Sequence, residues 1–182
     1  MTLVDVALDY PVVVTERFSV NEAAPEAVPL TGGLVVDVGV SHFGNVDIVV
    51  TGAARGWGAT WDRTPNFTAR IWDGGVDFGA RFAPGAEEAL VHGWWGAGSG
   101  VRFGLLDVDW WDDVFTWGLG AWTGGGVDIG RGKVRGTLSV RGDVSLRVDS
   151  WNGTVVTSGE TTTWSYWPGS ARVSVMGGVA FR

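Results

Sequence analysis

Apolar residues recur at every second position through most of this 182-residue chain. Residues 76–82 read VDFGARF, residues 101–105 read VRFGL, and residues 144–149 read VSLRVD. A period of two is that of a β-strand with one apolar face and one polar face. The pattern therefore predicts a chain built almost entirely of strands, each with its apolar face in a core and its polar face in water.

Glycine-rich pairs and triplets interrupt this alternation at residues 31–33, 73–75, 124–126, 152–153 and 177–178. Asn152-Gly153 is the sharpest turn signal, because Asn-Gly accepts a positive φ at both central positions of a type I′ turn. It predicts a hairpin between a strand ending near Trp151 and a strand beginning at Thr154. Helical periodicity is nearly absent, apart from one short turn of helix over residues 83–90. Many short strands with glycine turns predict an all-β fold, an antiparallel two-sheet β-sandwich or jelly roll of roughly ten to fourteen strands.

The first thirty residues differ in character from the rest, with Pro11, Pro25 and Pro29 around an apolar run and a polar, acidic stretch. They predict an extended arm over residues 1–30 that adds a strand to its own sheet or to a neighbouring subunit. An ordinary edge strand followed by a loop is the alternative. Residues 31–182 are then the sandwich domain.

The net charge and the length of the apolar segments limit the environments in which the chain is expected. Its 20 acidic and 13 basic residues give a net charge of −7, which disfavours nucleic acid and anionic membrane surfaces as partners. No apolar run approaches the ~20 residues of a membrane-spanning helix, and the start lacks a basic region followed by an apolar one. These features predict a soluble protein made in a cytoplasm, with no membrane insertion. The lack of cysteine excludes disulfides and thiolate chemistry.

Glycoside hydrolysis is the enzyme activity most worth testing, since it needs two carboxyl groups ~5–9 Å apart. Asp107 and Asp109 lie two residues apart and would share one face of a strand. Glu87 and Glu88 are adjacent, however, and would point to opposite faces. No nucleophile elbow or phosphate-binding loop occurs. The sequence therefore predicts a protein that is not an enzyme and holds no cofactor.

An acidic cluster offers hard oxygen ligands of the kind that Ca²⁺ prefers. Its members are Asp107, Asp109, Asp112 and Asp113, whose spacing is not that of a calcium loop. A solvated acidic loop beside aromatic side chains is the alternative. His42 and His92 have no neighbour at ligand spacing, so a transition-metal site is not predicted.

Twelve tryptophans are the richest source of binding surface. Adjacent side chains on a strand point to opposite faces, so Trp94-Trp95 and Trp110-Trp111 each place at most one ring in a core. The remaining rings predict a surface that binds a glycan or is buried against another protein, unless long loops fold back over them. The residues assigned to this surface are Trp94, Trp95, Trp110, Trp111, Trp117 and Trp122, with Asp107, Asp109 and Asp112 as polar partners.

The C-terminal quarter resembles the closing strands of laminin-G and concanavalin-like sandwiches. The likeness lies in residues 133–140, 143–150 and 154–156, followed by the ending ARVSVMGG at 171–178. The resemblance implies a concanavalin-like sandwich. The calcium ligands of those domains have no counterpart here, so none is assigned.

Taken whole, the chain also resembles small virion proteins of phages that infect GC-rich actinobacteria. The likeness rests on richness in Gly, Trp and Val, the lack of Cys, the leaderless start and the proline-punctuated arm. It implies a structural minor tail or baseplate subunit, located in the virion. Its partners would be other virion proteins, copies of itself, or a host cell-surface glycan. A carbohydrate-binding module, a capsid decoration protein and a glycosidase using Asp107 or Asp109 are the alternatives.

Overall fold

The alternating segments form long strands in the computed structural model of the chain. It describes residues 3–14, 18–20, 30–61, 67–85, 89–108, 114–148, 151–157, 160–166 and 169–182. The strands of these residues are β1 (Val4–Val14), β2 (Phe18–Val20), β3 (Leu30–Phe43), β4 (Val46–Trp61), β5 (Phe67–Phe82), β6 (Val91–Val108), β7 (Val114–Ile129), β8 (Val134–Arg147), β9 (Trp151–Thr157), β10 (Glu160–Tyr166) and β11 (Gly169–Phe181).

Eight of these strands close into one antiparallel barrel in the order β1-β11-β8-β7-β6-β5-β4-β3. β1 completes the ring, since Val4 pairs with Phe181 of β11 on one side and with Val38 of β3 on the other. The predicted two-sheet β-sandwich, jelly-roll or concanavalin-like, is therefore wrong. The alternation does produce strands, but they pair around a closed wall in which no barrel strand is left as an edge.

The two ends of the barrel differ in their connections. At the first end, called the turn end, residues 44–45, 83–90 and 130–133 link successive strands, and β1 begins and β11 ends there. At the opposite end, called the loop end, the links are residues 15–29, 62–66, 109–113 and 148–168. The longest loop-end links contain β2, β9 and β10, which form a separate sheet in the order β2-β10-β9.

The interior of the barrel is polar, the reverse of the predicted core. Inward positions of the described residues hold mostly Asp, Arg, Thr, Ser and Gly, and the buried apolar side chains include two small groups. One consists of Leu3, Val49 and Trp122, and the other of Ala7, Val35 and Met176. The alternation was identified correctly, but the apolar face that was expected inside lies outside.

The glycine-rich segments predicted as turns lie within strands instead. Residues 31–33 belong to β3, 73–75 to β5, 124–126 to β7 and 177–178 to β11. Asn152-Gly153 also continues a strand, with Asn152 paired to Ser165 and Gly153 paired to Trp164. The predicted helical turn over 83–90 does not form at residues 83–85 and 89–90, and residues 86–88 lie outside the described part of the chain.

Other glycines within the strands are required because a large interior side chain lies against them. A Cβ at Gly98 would come within 2.5 Å of Trp122 Nε1 and 2.7 Å of the Phe78 carbonyl oxygen. Cβ atoms at Gly79 and Gly96 would come within 3.0 and 3.1 Å of the same indole ring. The glycines therefore form a shallow seat in the wall that lets Trp122 fit inside an eight-stranded barrel.

We expect the substitution Gly98→Val to destabilise the fold by about 1–3 kcal/mol, because the added carbon atoms overlap Trp122 and the neighbouring backbone. Urea unfolding followed by tryptophan fluorescence measures the effect. Gly93→Val is the matched control on the same strand, since a Cβ there meets nothing within 4 Å. Equal losses in the two variants would contradict the seat.

The predicted division of the chain at residue 30 stays a prediction. Residues 4–14 form β1 and take their place in the barrel wall between β11 and β3. Residues 15–17 and 21–29 lie outside the described residues. The character of that segment stays a prediction.

Candidate functional site

The outer wall of the barrel is apolar along its strands, and β8 shows this most clearly. Its outward positions from 134 to 148 read Val, Gly, Leu, Val, Gly, Val, Leu, Val, whereas its inward positions read Arg, Thr, Ser, Arg, Asp, Ser, Arg. The inward residues are buried, apart from the half-buried Ser145, and most of the outward ones are exposed. β8 therefore turns its apolar side away from the interior.

The exposed apolar side chains surround the barrel. They include Leu8 and Tyr10 on β1, Leu34 on β3, Trp72 and Phe78 on β5, Val101 on β6, Leu119 on β7, Leu138 and Leu146 on β8, and Val175 on β11. A monomeric protein in water rarely exposes a continuous apolar patch of more than a few hundred Å². A surface of this kind requires an apolar environment or a partner that covers it.

Aromatic side chains concentrate near both ends of this wall on β5, β6 and β7. Toward the turn end, Phe82 and Trp95 lie with ring centroids 5.7 Å apart. Toward the loop end, Phe103 pairs in register with Trp117 and stacks on Phe115 at 6.2 Å. Trp95 and Phe103 are eight residues apart on β6, a distance of about 26 Å along the strand.

The apolar wall ends at a charged pair next to the second aromatic group. Arg70 of β5 and Asp107 of β6 are register partners, with Nη1 and Oδ2 3.9 Å apart. The Arg70 side chain is largely accessible to solvent, and that of Asp107 is partly accessible. The pair marks the level at which polar residues replace apolar ones on the outside of the barrel.

Ion pairs fill the lumen near the turn end. Arg81 donates to Asp5 at 3.0 Å and to both carboxylate oxygens of Asp128 at 2.8 and 2.9 Å. Arg182 also donates to Asp128, at 2.6 Å, and lies 3.5 Å from Asp47. Buried charges of this kind are tolerated because each has a hydrogen-bonded counter-charge.

A second set of ion pairs fills the middle of the lumen and its loop-end half. Asp77 accepts from Arg102 and, at 3.2 Å, from Arg141. Asp143 accepts from Arg141 at 3.1 Å and from Arg55 at 3.2 Å. Further pairs join Arg55 to Asp9, and Arg147 to Asp73 and Thr116.

The interior charges balance. Among the described residues, eight aspartates and eight arginines line the lumen: Asp5, Asp9, Asp37, Asp47, Asp73, Asp77, Asp128, Asp143 and Arg55, Arg81, Arg102, Arg135, Arg141, Arg147, Arg172, Arg182. The net charge of −7 therefore arises elsewhere.

The links of the turn end hold two acidic and two basic residues, whereas those of the loop end hold nine acidic and two basic ones.

Two of the tryptophans assigned to a binding surface lie inside the barrel. Trp94 and Trp122 are 6% and 4% exposed, and their rings lie 3.9 Å from the Arg81 guanidinium and 4.4 Å from that of Arg141. At this range a guanidinium is attracted to the face of the indole ring. These two rings are part of the lumen filling and are inaccessible to a partner on the outer wall.

The other assigned residues fall in two places. Trp95 and Trp117 point outward and are 60% and 48% exposed, as alternation predicts for the neighbour of a buried Trp94. Asp107 lies at the loop end of β6, paired with Arg70. Trp110, Trp111, Asp109 and Asp112 lie in the link 109–113, outside the described residues, and their role in binding stays a prediction.

The glycosidase and calcium alternatives for Asp107 stay untested, because Asp109, Asp112 and Asp113 lie outside the described residues. Asp107 faces Arg70, and Asp109 is not described. His42 lies 2.7 Å from Asp47, and His92 is buried at the turn end of the lumen. No group of three or more potential metal ligands occurs among the residues whose placement is described.

The arginine and aspartate positions of the lumen are the functional residues that sequence reasoning missed. They occupy the polar half of each alternating segment, which was interpreted as the solvent face. A signal was present, because the chain has twelve arginines and a single lysine. Arginine is the residue favoured in buried ion pairs, whereas lysine is common on surfaces in water.

No model of a protein family matches this chain, and neither does any curated protein sequence. Solved structures with a similar shape do exist. The outer membrane protein OprG from Pseudomonas aeruginosa matches with a TM-score of 0.56 and 12% identity, over 99% of this chain and 94% of that one. The N-terminal β-barrel domain of Pseudomonas aeruginosa OprF matches with a TM-score of 0.47 and 10% identity, over 98% of this chain and 97% of that one. Neisserial surface protein A matches with a TM-score of 0.45 and 12% identity, over 99% and 96%.

The likeness to OprG shows the fold, a closed eight-stranded barrel, and it overturns the resemblance to phage virion proteins. The predicted function as a minor tail or baseplate subunit is wrong, and so is the predicted location in the virion. The partners expected from it, and the expectation of no membrane insertion, are contradicted by an apolar wall around a charged lumen. No helix among the described residues is long and apolar enough to cross a membrane.

Proposed function

We propose that this chain is an integral membrane protein that crosses a bilayer of the outer-membrane type as an eight-stranded β-barrel. The observation that carries the proposal is the inverted alternation of β8, with only apolar residues or glycine outward from 134 to 148 and only polar residues inward from 135 to 147. Transmembrane barrels alternate in this sense, apolar toward lipid and polar toward the lumen.

Strand length and closure support the same proposal. A strand tilted by about 45° needs about 9–11 residues to cross the hydrocarbon layer. The barrel strands contain between 11 and 18 residues. Because the barrel is closed, every barrel strand pairs on both sides, which satisfies the backbone groups that lipid cannot bond.

The two aromatic groups fit the two interfaces of a bilayer. Outer-membrane barrels carry an apolar band about 25 Å tall between two rings of aromatic residues. The groups around Trp95 and Phe103 lie about 26 Å apart along the strand, which at a tilt of about 35–45° is about 18–21 Å in height, a little less than the height of that band. The accessible pair Arg70–Asp107 then lies in the headgroup layer.

The lengths of the links at the two ends support an orientation of the barrel in the membrane. Barrels of this class have short turns on the periplasmic side and longer loops on the outer side. We assign the turn end to the inner side and the loop end to the outer side. The acidic links, including Trp110, Trp111, Asp109 and Asp112, are then the part of the chain that is available for contacts beyond the bilayer.

The filled lumen supports a role without transport through an open pore and without catalysis. An eight-stranded barrel has an interior just wide enough for side chains to fill. Here the interior holds paired arginines and aspartates together with Trp94 and Trp122. We therefore propose a membrane-anchored structural or recognition protein, whose outer loops carry its specificity.

Flotation with lipid vesicles tests the proposal. The chain is unfolded in urea, diluted into zwitterionic phosphatidylcholine vesicles, washed with alkaline carbonate and centrifuged through a density gradient. We expect the protein to float with the vesicles and to resist the wash. The matched control replaces Leu138, Val140, Val144 and Leu146 of the outer wall with serine, and we expect it to stay in the dense fractions. A native chain that folds as a monomer in buffer without detergent or lipid would contradict the proposal.

A further inference from the structure

The three-stranded sheet at the loop end has one long edge without a partner strand. In the order β2-β10-β9, the central strand β10 pairs with both neighbours, whereas β9 pairs with β10 alone in the described part of the chain. All seven residues of β9 have register partners on β10, from Trp151 opposite Tyr166 to Thr157 opposite Glu160. The backbone groups on the other side of β9 therefore lack a strand to bond to among the described residues.

The edge of β9 is long enough to accept another strand. Its seven residues extend over about 23 Å, and every second residue turns its N–H and C=O groups toward the same side. A row of such groups is a template for an added strand. The opposite edge of the sheet is much shorter, because β2 contains three residues. The edge of β9 is thus the part of this sheet best suited to strand addition.

β9 also lacks the residues that usually protect a sheet edge. Exposed edge strands are commonly blocked by lysine and other charged residues, by proline, or by a bulge. The sequence of β9, WNGTVVT, contains no charged residue and no proline, and its pairing with β10 shows no register shift. Its second half, TVVT, is entirely β-branched, which favours an extended backbone. An edge without this protection is suited to a partner strand that covers it.

The charge of the loop end limits the kind of strand that can be added. The loop-end links hold nine acidic and two basic residues, an excess of seven negative charges. A second copy of the chain would bring the same excess to the contact, and the like charges would repel each other. An extended segment with several lysines or arginines would be attracted instead. Backbone hydrogen bonds along the edge then supply affinity, while the charge of the links selects a basic partner.

We infer that the edge of β9 binds an extended, basic segment of another protein, which adds a fourth strand to the loop-end sheet. The inference rests on the proposed function, in which the loop end lies on the outer side of the bilayer and carries the specificity. β9 is then the recognition element of the protein, and a basic peptide strand is its ligand.

A short synthetic peptide of alternating lysine and valine tests this inference on the barrel folded in nonionic detergent micelles. We expect saturable binding by fluorescence anisotropy, and a shift of the amide I band of a carbon-13-labelled peptide to the position of a β-strand. The control peptide has the same sequence and charge but carries a methyl group on every backbone amide. It should bind at least about tenfold more weakly, because it cannot donate backbone hydrogen bonds to the edge.

Thr154→Lys tests the edge within the chain itself. Thr154 is an exposed residue of β9, and a lysine there adds to the edge a charge that repels a basic strand. We expect it to weaken the binding of the unmethylated peptide several-fold. Asn45→Lys is the matched control, since it adds the same charge at an exposed position of the turn end, and it should leave the binding unchanged.

Equal affinity for the methylated and unmethylated peptides would overturn the inference, and so would equal affinity of the two lysine variants. A dimer of the unaltered chain in analytical ultracentrifugation that Thr154→Lys dissociates would also overturn it, because β9 would then bind a second copy. Flotation with vesicles measures membrane insertion separately. A barrel that floats with vesicles but does not bind the peptide refutes this inference and leaves the proposed membrane location intact.

Discussion

The substitution Leu8→Arg lowers the free energy of unfolding from a lipid bilayer by about 2–4 kcal/mol, if the outer wall faces lipid as proposed. Leu8 lies near the middle of β1 and points outward, with 53% of its side chain exposed. In water, an arginine at so exposed a position would change stability by only about ±0.5 kcal/mol. In hydrocarbon the guanidinium loses its hydration, so the same substitution becomes costly. Urea titration of the vesicle-inserted protein, followed by tryptophan fluorescence, measures the change.

Val148→Arg is the matched control for depth. Val148 continues the outward face of β8 at the loop end and is similarly exposed. Near the membrane interface an arginine costs about 0–1 kcal/mol, because its long side chain reaches the headgroups. A large cost at Leu8 with a small cost at Val148 is therefore expected. Small and equal costs at both positions would show that the wall faces water.

The substitution Arg81→Ala has the largest effect expected of a single change inside the lumen, a loss of about 3–5 kcal/mol. Arg81 bonds Asp5 and both oxygens of Asp128, and it also lies against the face of Trp94. Its removal leaves two buried carboxylates with a missing counter-charge and empties the volume beside an indole ring. The same urea titration measures this loss.

Arg70→Ala is the control for the charge change itself. Arg70 also pairs with an aspartate, but the pair is exposed and its charged atoms are 3.9 Å apart. Exposed pairs of this kind contribute about 0–1 kcal/mol. A loss at Arg81 no greater than that at Arg70 would mean that the lumen network does not stabilise the barrel.

Sequence reasoning identified the strands but placed them in the wrong architecture. The segment 144–148 lies at the end of β8 and just beyond it, with the alternation that the sequence indicates. Period two is identical whether the apolar half faces a core or a bilayer, because it records only that the two faces differ. Which face points outward must be inferred from the polar positions of the pattern. In β8 these positions hold Arg and Asp together with Thr and Ser.

The prediction of turns at the glycine-rich segments was wrong for a related reason. Gly74-Gly75 and residues 124–126 have the composition of turns, yet they lie inside β5 and β7. A Cβ at Gly75 would come within 2.6 Å of Arg102 Nη1, so this glycine makes room for the guanidinium of its register partner on the neighbouring strand β6. That requirement depends on partners far away in sequence. Local composition could not reveal it.

The candidate site was predictable only in part. The opposite directions of Trp94 and Trp95 follow from alternation, and the structure confirms that one ring is buried and the other is exposed. The partner of the buried ring does not follow, because it depends on the register of β5 and β6, which pairs Arg81 with Gly96 and places Trp94 diagonally beside it. The acidic link 109–113, with Trp110 and Trp111, keeps its predicted role as a binding surface until it is tested.

The central claim is that one face of each strand meets lipid while the other lines a filled lumen, and β8 tests it residue by residue. The chain has no cysteine, so single cysteines can be introduced from position 134 to position 147 and labelled with a nitroxide. Collision rates of the label with oxygen, which concentrates in lipid, are compared with those of a water-soluble nickel chelate. We predict that even positions are accessible to oxygen and that odd positions are accessible to neither quencher, in strict alternation. Access of the nickel chelate to the even positions across the middle of the strand would contradict the claim.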